Sequence, residues 1–216
     1  MKHYLKLICL GIVVLFVSCT SHINKNSEEK KSDDIVRVSY INPNDDQAQS
    51  LLKRGAKITK LATMELSTAL KKAIKEEGPE YALDFCQKEA TKITDSLSSS
   101  EGVIIKRLAK KNRNPNNSMN DMESKIYKQY IIEWLSSKTQ NPKLAINENG
   151  HPVYYKPIRL NTNCLICHGK PGENIPENIA RKISELYPED KAINFEVGQP
   201  RGMWSITFTN VNADIK

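Results

Sequence analysis

Cys164-Leu165-Ile166-Cys167-His168 places two thiols three positions apart with an imidazole directly after the second. That spacing is the attachment signal for a c-type haem. On one short helical turn, both thiols can add across the two vinyl groups of the macrocycle while the next side chain reaches the iron, making His168 the proximal axial ligand. CxxC also serves zinc sites, redox dithiols and plain disulfides. Zinc wants a second ligand pair, and the chain has no second CxxC and no His cluster. A thioredoxin-type pair opens a helix after a buried strand and commonly carries Pro between the cysteines, whereas Leu165 and Ile166 stand here. Haem c, one per chain and covalent, is the expected cofactor.

The second iron ligand is open at this level. Cys86, His151, Met64, Met119, Met122 and Met203 are candidates, as is a water-bound position. An unpaired thiol on a helical apolar face is more often an inert small hydrophobe, and a methionine at helical spacing is more often core.

The remaining two cysteines belong to the start of the chain. Lys2 and Lys6 precede an uncharged run from Leu7 to Val17. That run is shorter than the roughly 20 residues a spanning helix needs and suits the roughly 7 to 15 of a secretory leader. It ends Phe16-Val17-Ser18-Cys19, which resembles a bacterial lipobox with Phe16 in place of the usual Leu. Residues 1–18 are therefore expected to be a lipoprotein signal peptide that carries Cys9 away. Cys19 is the expected lipidation site, and 19–45 a lipidated tether and linker. Thr20 to Asp34, rich in Ser, Asn, Lys and Glu with one Ile, cannot bury enough surface to fold. Thr20 after Cys19 favours the outer membrane, so the expected location is the cell envelope, lipid-anchored on the periplasmic side of that membrane.

Positioning elements follow from periodicity. Asn44-Asp45-Asp46 can cap a helix, and Leu51, Leu52, Gly55, Ile58, Leu61, Ala62, Leu66, Ala69, Leu70 and Ile74 recur at steps of three and four, predicting a helix over about 45–77. Gly78-Pro79 breaks it. A second helix over about 79–97 carries Ala82, Phe85, Cys86, Ala90, Ile93 and Leu97, with Cys86 on its buried face. Gly102 to Leu108 reads as a strand and Arg113 to Asn117 as a loop. Asn120 with Glu123 forms a capping box for a third helix through Trp134. A hairpin is centred on Asn149-Gly150 within 144–158, and Trp204 to Val211 supplies another strand. Helices first, then strands mixed with helices, suit an α+β domain with an antiparallel sheet. The chain has no Gly-rich phosphate loop, no nucleophile elbow and no HExxH helix. Its 32 basic and 25 acidic residues are interspersed, which argues against a nucleic-acid partner.

Several spaced motifs occur together: Ala82-x-x-x-Cys86, Arg113-Asn114-Pro115-x-Asn117 with Glu123, Lys156-Pro157-Ile158, Cys164-x-x-Cys167-His168-Gly169, Tyr187-Pro188-x-Asp190-x-Ala192 and Gly198-x-x-Arg201-Gly202. In this order the chain resembles the c-type haem PAS-like domain family, found as free-standing exported proteins and as sensory input domains of bacterial kinases and chemoreceptors. The resemblance covers about 46–211 and leaves 212–216 as a C-terminal tail. It implies a PAS-like antiparallel sheet flanked by long N-terminal helices, one covalent haem, and an axial pair of His168 and Cys86. Arg113 and Asn114 become candidates for cofactor binding, at a propionate, or for holding the loop. The family often has small hydroxyl residues just before that loop, where this chain has Ala109-Lys110-Lys111-Asn112.

A thiolate donor stabilises ferric iron, and two protein ligands leave no free site unless one departs. The expected role is low-potential redox or ligand sensing through a partner receptor protein. The competing role is one-electron transfer to a redox partner, as a cytochrome c does. A haem enzyme needs an open distal position, which a Cys86 ligand would fill, so no enzymatic activity is expected.

Overall fold

The computed structural model describes residues 37–42 and 44–211. The expected signal peptide, with Cys9, and Cys19 and most of the expected tether lie outside them, as does the tail 212–216.

Asp45 caps the first helix, its Oδ1 accepting from the backbone N–H of Gln47 at 2.8 Å and of Ala48 at 3.2 Å. This helix, α1 (Asp46–Glu101), is interrupted at Gly78, where φ is 86° and ψ 174°. Arg54 Nη2 donates to the Glu101 carbonyl at 2.6 Å across 47 residues of sequence. An unbroken helix would set those residues roughly 70 Å apart. The two arms, 46–77 and 79–101, therefore fold back on each other as an antiparallel hairpin, as the Gly-Pro break predicts. Gly102 ends the second arm in the left-handed conformation.

Four strands follow: β1 (Ile104–Leu108), β2 (Lys143–Ile146), β3 (Pro152–Arg159) and β4 (Pro200–Thr207). They form one antiparallel sheet in the order β1-β4-β3-β2. The β2–β3 hairpin turns at Gly150, where Asn147 N–H donates to the His151 carbonyl and His151 N–H to Asn147 Oδ1. Residues read as linker reach this sheet: Tyr40 bridges to Ala145, Ile41 N–H donates to the Leu144 carbonyl and Ile146 N–H to the Ser39 carbonyl.

Strand alternation splits the core between the two sheet faces. On one, Leu144, Tyr154, Trp204, Ile206 and Phe208 pack with Leu51, Ile58, Ala62 and Leu97 of α1. Gly55 lets that helix close on the sheet, because a Cβ there would overlap the Tyr154 ring. On the other, Val153, Tyr155 and Met203 pack with Ile126, Tyr127 and Tyr130 of α2 (Asp121–Leu135). The predicted capping box starts α2: Glu123 N–H donates to Asn120 Oδ1 at 2.8 Å and Asn120 N–H to Glu123 Oε2 at 2.9 Å.

Two short helices complete the fold, α3 (Leu165–His168) and α4 (Glu177–Leu186). Sequence reasoning did not anticipate α4. Pro176 caps it without a side-chain bond, and only Ile179 and Ile183 are buried. Among the described residues, no helix is long and apolar enough to cross a membrane.

Candidate cofactor site

The chain leaves β3, makes a tight turn over Thr162–Cys164 and runs straight into α3, so the CxxCH segment spans two successive turns. Cys164 donates to Asn161 Oδ1 at 3.3 Å. Cys86, Cys164 and Cys167 are free thiols. At Gly169 a Cβ would stand 2.5 Å from that of Asn174 and 2.7 Å from the Leu165 carbonyl, so a side chain could not exit the helix on this path.

His168 is fixed from three sides. Its Nδ1 lies 2.8 Å from the Ala192 carbonyl and 3.4 Å from Arg201 Nε. One nitrogen cannot both donate and accept in one tautomer, and the shorter contact to a carbonyl requires Nδ1–H as donor. Nε2 then carries the lone pair. The ring meets Phe195 edge-on at 6.5 Å between centroids. Burial, then the charges of Arg201 and Arg113, push its pKa well below the usual 6.5. The imidazole is neutral, which is the ligand form.

Arg113 organises the surroundings. It meets Asp190 through two bonds, Nε to Oδ1 at 3.1 Å and Nη2 to Oδ2 at 3.0 Å, and Nη2 also donates to the Cys167 carbonyl at 2.7 Å. Asp190 Oδ1 in turn accepts from Ala192 N–H at 2.9 Å. A continuous chain of bonds thus runs from the CxxCH backbone through Arg113, Asp190 and Ala192 to the His168 ring.

Cys86 comes from the second arm of α1. Leu83, one turn earlier, shares a cluster with Cys167, Ile175, Ile179 and Ile183. On either side, Asp84 pairs with Lys182 at 3.0 Å and Gln87 donates to the Leu186 carbonyl at 3.2 Å, so α4 holds this stretch in place. Burial raises the Cys86 thiol pKa, while Arg107 and Arg113 oppose it. Cys167 is pushed up to about 11, chiefly by burial, with Arg113 opposing and Cys86 and Cys164 adding. Burial, then Cys86, raises Tyr187 to about 12. The fold therefore gathers Cys86, Cys167, Arg107, Arg113 and Tyr187 into one electrostatic neighbourhood.

The other candidates lie elsewhere. His151 sits in the β2–β3 turn with Nδ1 3.4 Å from the Val211 carbonyl. Met64 is exposed, Met203 is fully buried on the α2 side, and Met119 and Met122 flank that same cluster. Asn114 caps the turn Pro115–Asn117, its Oδ1 accepting from Asn116 N–H at 2.9 Å.

The chain matches the Tll0287-like family over residues 25–209. It belongs to that family. This is the c-type haem PAS-like family that the spaced motifs resemble. No curated protein matches it. A solved structure, the cyanobacterial heme-protein Tll0287, matches with a TM-score of 0.52 at 20% identity, covering 80% of this chain and 99% of that one. That likeness shows the fold, an α+β sheet with long N-terminal helices of PAS-like type.

In this member of the family, Asp190, Ala192, Arg201 and Phe195 were missing from the candidate set. The first three stand in the recurring motifs, yet their tasks depend on contacts 24 to 77 residues away in sequence. Arg201 also lies over the Phe195 ring at 5.3 Å and Lys111 over it at 4.5 Å. Arg107 carried no motif signal.

Proposed function

We propose that this chain binds one covalent haem c through Cys164 and Cys167, with His168 and Cys86 as axial ligands. The observation carrying this reading is the His168 ring, fixed by the Ala192 carbonyl with Nε2 as its lone-pair nitrogen, directly after the free thiols of Cys164 and Cys167, with a third thiol, Cys86 of α1, within electrostatic reach of Cys167. The donor set fits the group: imidazole and thiolate suit iron, and thiols at this spacing suit two vinyls. When bound, the haem supplies one-electron redox chemistry. Ala192 sets the His168 tautomer, Arg113 fixes the turn that presents both thiols, and the neighbouring guanidinium of Arg107 favours the thiolate of Cys86.

The proposed role is low-potential redox or ligand sensing through a partner protein, by an exported lipoprotein held at the envelope by Cys19 and lacking enzymatic activity. The anionic sulfur donor supports low potential, and a ligand carried on a helical arm supports signalling, because its departure would alter how that arm packs. A second reading, one-electron carrier, is favoured by the half-buried state of Cys164 to Cys167, which leaves an edge for a redox partner.

Ferric absorption and EPR spectra of the matured protein and of Cys86→Ala test the ligand set. The expected result is a low-spin thiolate–imidazole species that becomes high-spin in the variant, with haem still covalently bound. An unchanged spectrum removes Cys86. Stopped-flow exchange with envelope cytochromes separates the roles, fast transfer supporting the carrier.

A further inference from the structure

Strand register assembles a second feature of this site. Arg107 of β1 pairs with Trp204 of β4, and Trp204 pairs with Lys156 of β3. Paired residues on neighbouring strands point to the same face. Trp204 is buried in the α1-side cluster, so both cations emerge beside it on the core-facing side of the sheet. The adjacent row, Ile105, Ile206, Tyr154 and Leu144, is apolar except for one phenol. Two cations on a half-buried, α1-facing row depart from strand patterning, which sends charge to the solvent face.

Neither cation is neutralised by a carboxylate among the described residues; the five ion pairs there involve other side chains. Arg113, the sequence candidate for a propionate, is committed to Asp190 and the Cys167 carbonyl. Arg107 itself lies within electrostatic reach of Cys86, the proposed iron ligand, and of Tyr187. From this row β3 runs on to Arg159, and the chain then passes through Leu160 into the turn Thr162–Cys164 that begins the CxxCH segment. Arg107 and Lys156 are two strands apart, about 10 Å between backbones, and their long side chains can converge over the indole.

We propose that Arg107 and Lys156 form the carboxylate-binding pair of the site and receive the two haem propionates, which lie on the macrocycle edge opposite the vinyls. This inference rests on the haem reading above. Arg107 offers a planar fork to one carboxylate and Lys156 a point charge to the other, with Trp204 as an apolar floor between them.

Resonance Raman propionate bending bands and the midpoint potential of the haem-loaded protein test it, using Arg107→Gln, Lys156→Gln, the double variant and a surface control, Lys92→Gln. Propionate bands are expected to shift in each single variant, with a larger shift in the double, and the potential to move negative as positive charge is lost. The control is expected to match wild type. Unmoved propionate bands in variants that retain covalent haem overturn the proposal. A change confined to the thiolate charge-transfer band also overturns it, making Arg107 a partner of Cys86 alone. Should Arg107→Gln fail to fold, Lys156→Gln decides by itself. Wild-type protein without covalent haem removes the haem reading instead, and the proposal with it.

Discussion

Asp190 and Arg113 are 8% and 11% exposed at the side chain, so their mutual bonds form largely away from water. Removing one partner strands the other charge, which costs about 3–5 kcal/mol. Arg113→Leu is expected to lower the urea midpoint of the unloaded protein accordingly, and Arg113→Lys to recover only part, since a point charge cannot make both bonds to Asp190 and one to Cys167. A wild-type midpoint in Arg113→Leu would show that the CxxCH turn holds itself. His168 sets a pH dependence of opposite origin. Its folded pKa lies below 6.5 while the unfolded chain titrates near that value. Above 6.5 both states are neutral and the shift has no effect. Below it the unfolded state takes up the proton first, so stability falls as pH drops from about 6.5 towards the folded pKa. Thermal unfolding of apoprotein between pH 7 and 5 is expected to show that fall, and His168→Gln to flatten it.

At the scale of elements, the Gly78 break decides whether α1 is a rod or a hairpin. Its φ of 86° with ψ of 174° is open to glycine and to almost no other residue. A Cβ there meets nothing within 4 Å, so a cost in Gly78→Ala comes from backbone strain rather than a clash. The expected loss is about 1–3 kcal/mol in denaturant unfolding. An unchanged midpoint would mean that the arms tolerate another turn. This break, the Asp45 cap, the Asn120–Glu123 box and the Asn149-Gly150 turn were legible because each is written within a few consecutive residues. The helix α4 was not, since two buried isoleucines and a proline cap give little local signal. Arg107 and Arg201 escaped for another reason. Arg107 lies in a strand and carries no motif, Arg201 stands in a motif that names no partner for it, and only the sheet register and the packing of the CxxCH turn place them at the site. Residues 38–41 escaped similarly, because their pairing partner, β2, lies about 100 residues on.

At the scale of the whole molecule, the proposed lipid anchor at Cys19 and the proposed haem site belong to separate stretches of the chain. The chain enters the sheet at Tyr40, beside Ala145 and thus at the Val153 level of β3, while the CxxCH turn follows the other end of that strand, about 20 Å along. The two functions should therefore separate by mutation. If Cys19 carries lipid, each buried CH2 contributes about 0.8 kcal/mol, and two or three chains hold the protein stably where one would not. The basic residues are interspersed with acids rather than clustered into a polybasic patch. Cys19→Ser is accordingly expected to move the protein from the membrane to the soluble fraction of the envelope, with the haem spectrum and midpoint potential of wild type. Fractionation followed by haem staining and absorption measures both at once. Retention in the membrane would remove the lipid anchor. Release together with loss of covalent haem would show that maturation at the CxxCH turn depends on anchoring, and that the two ends of the sheet are not independent.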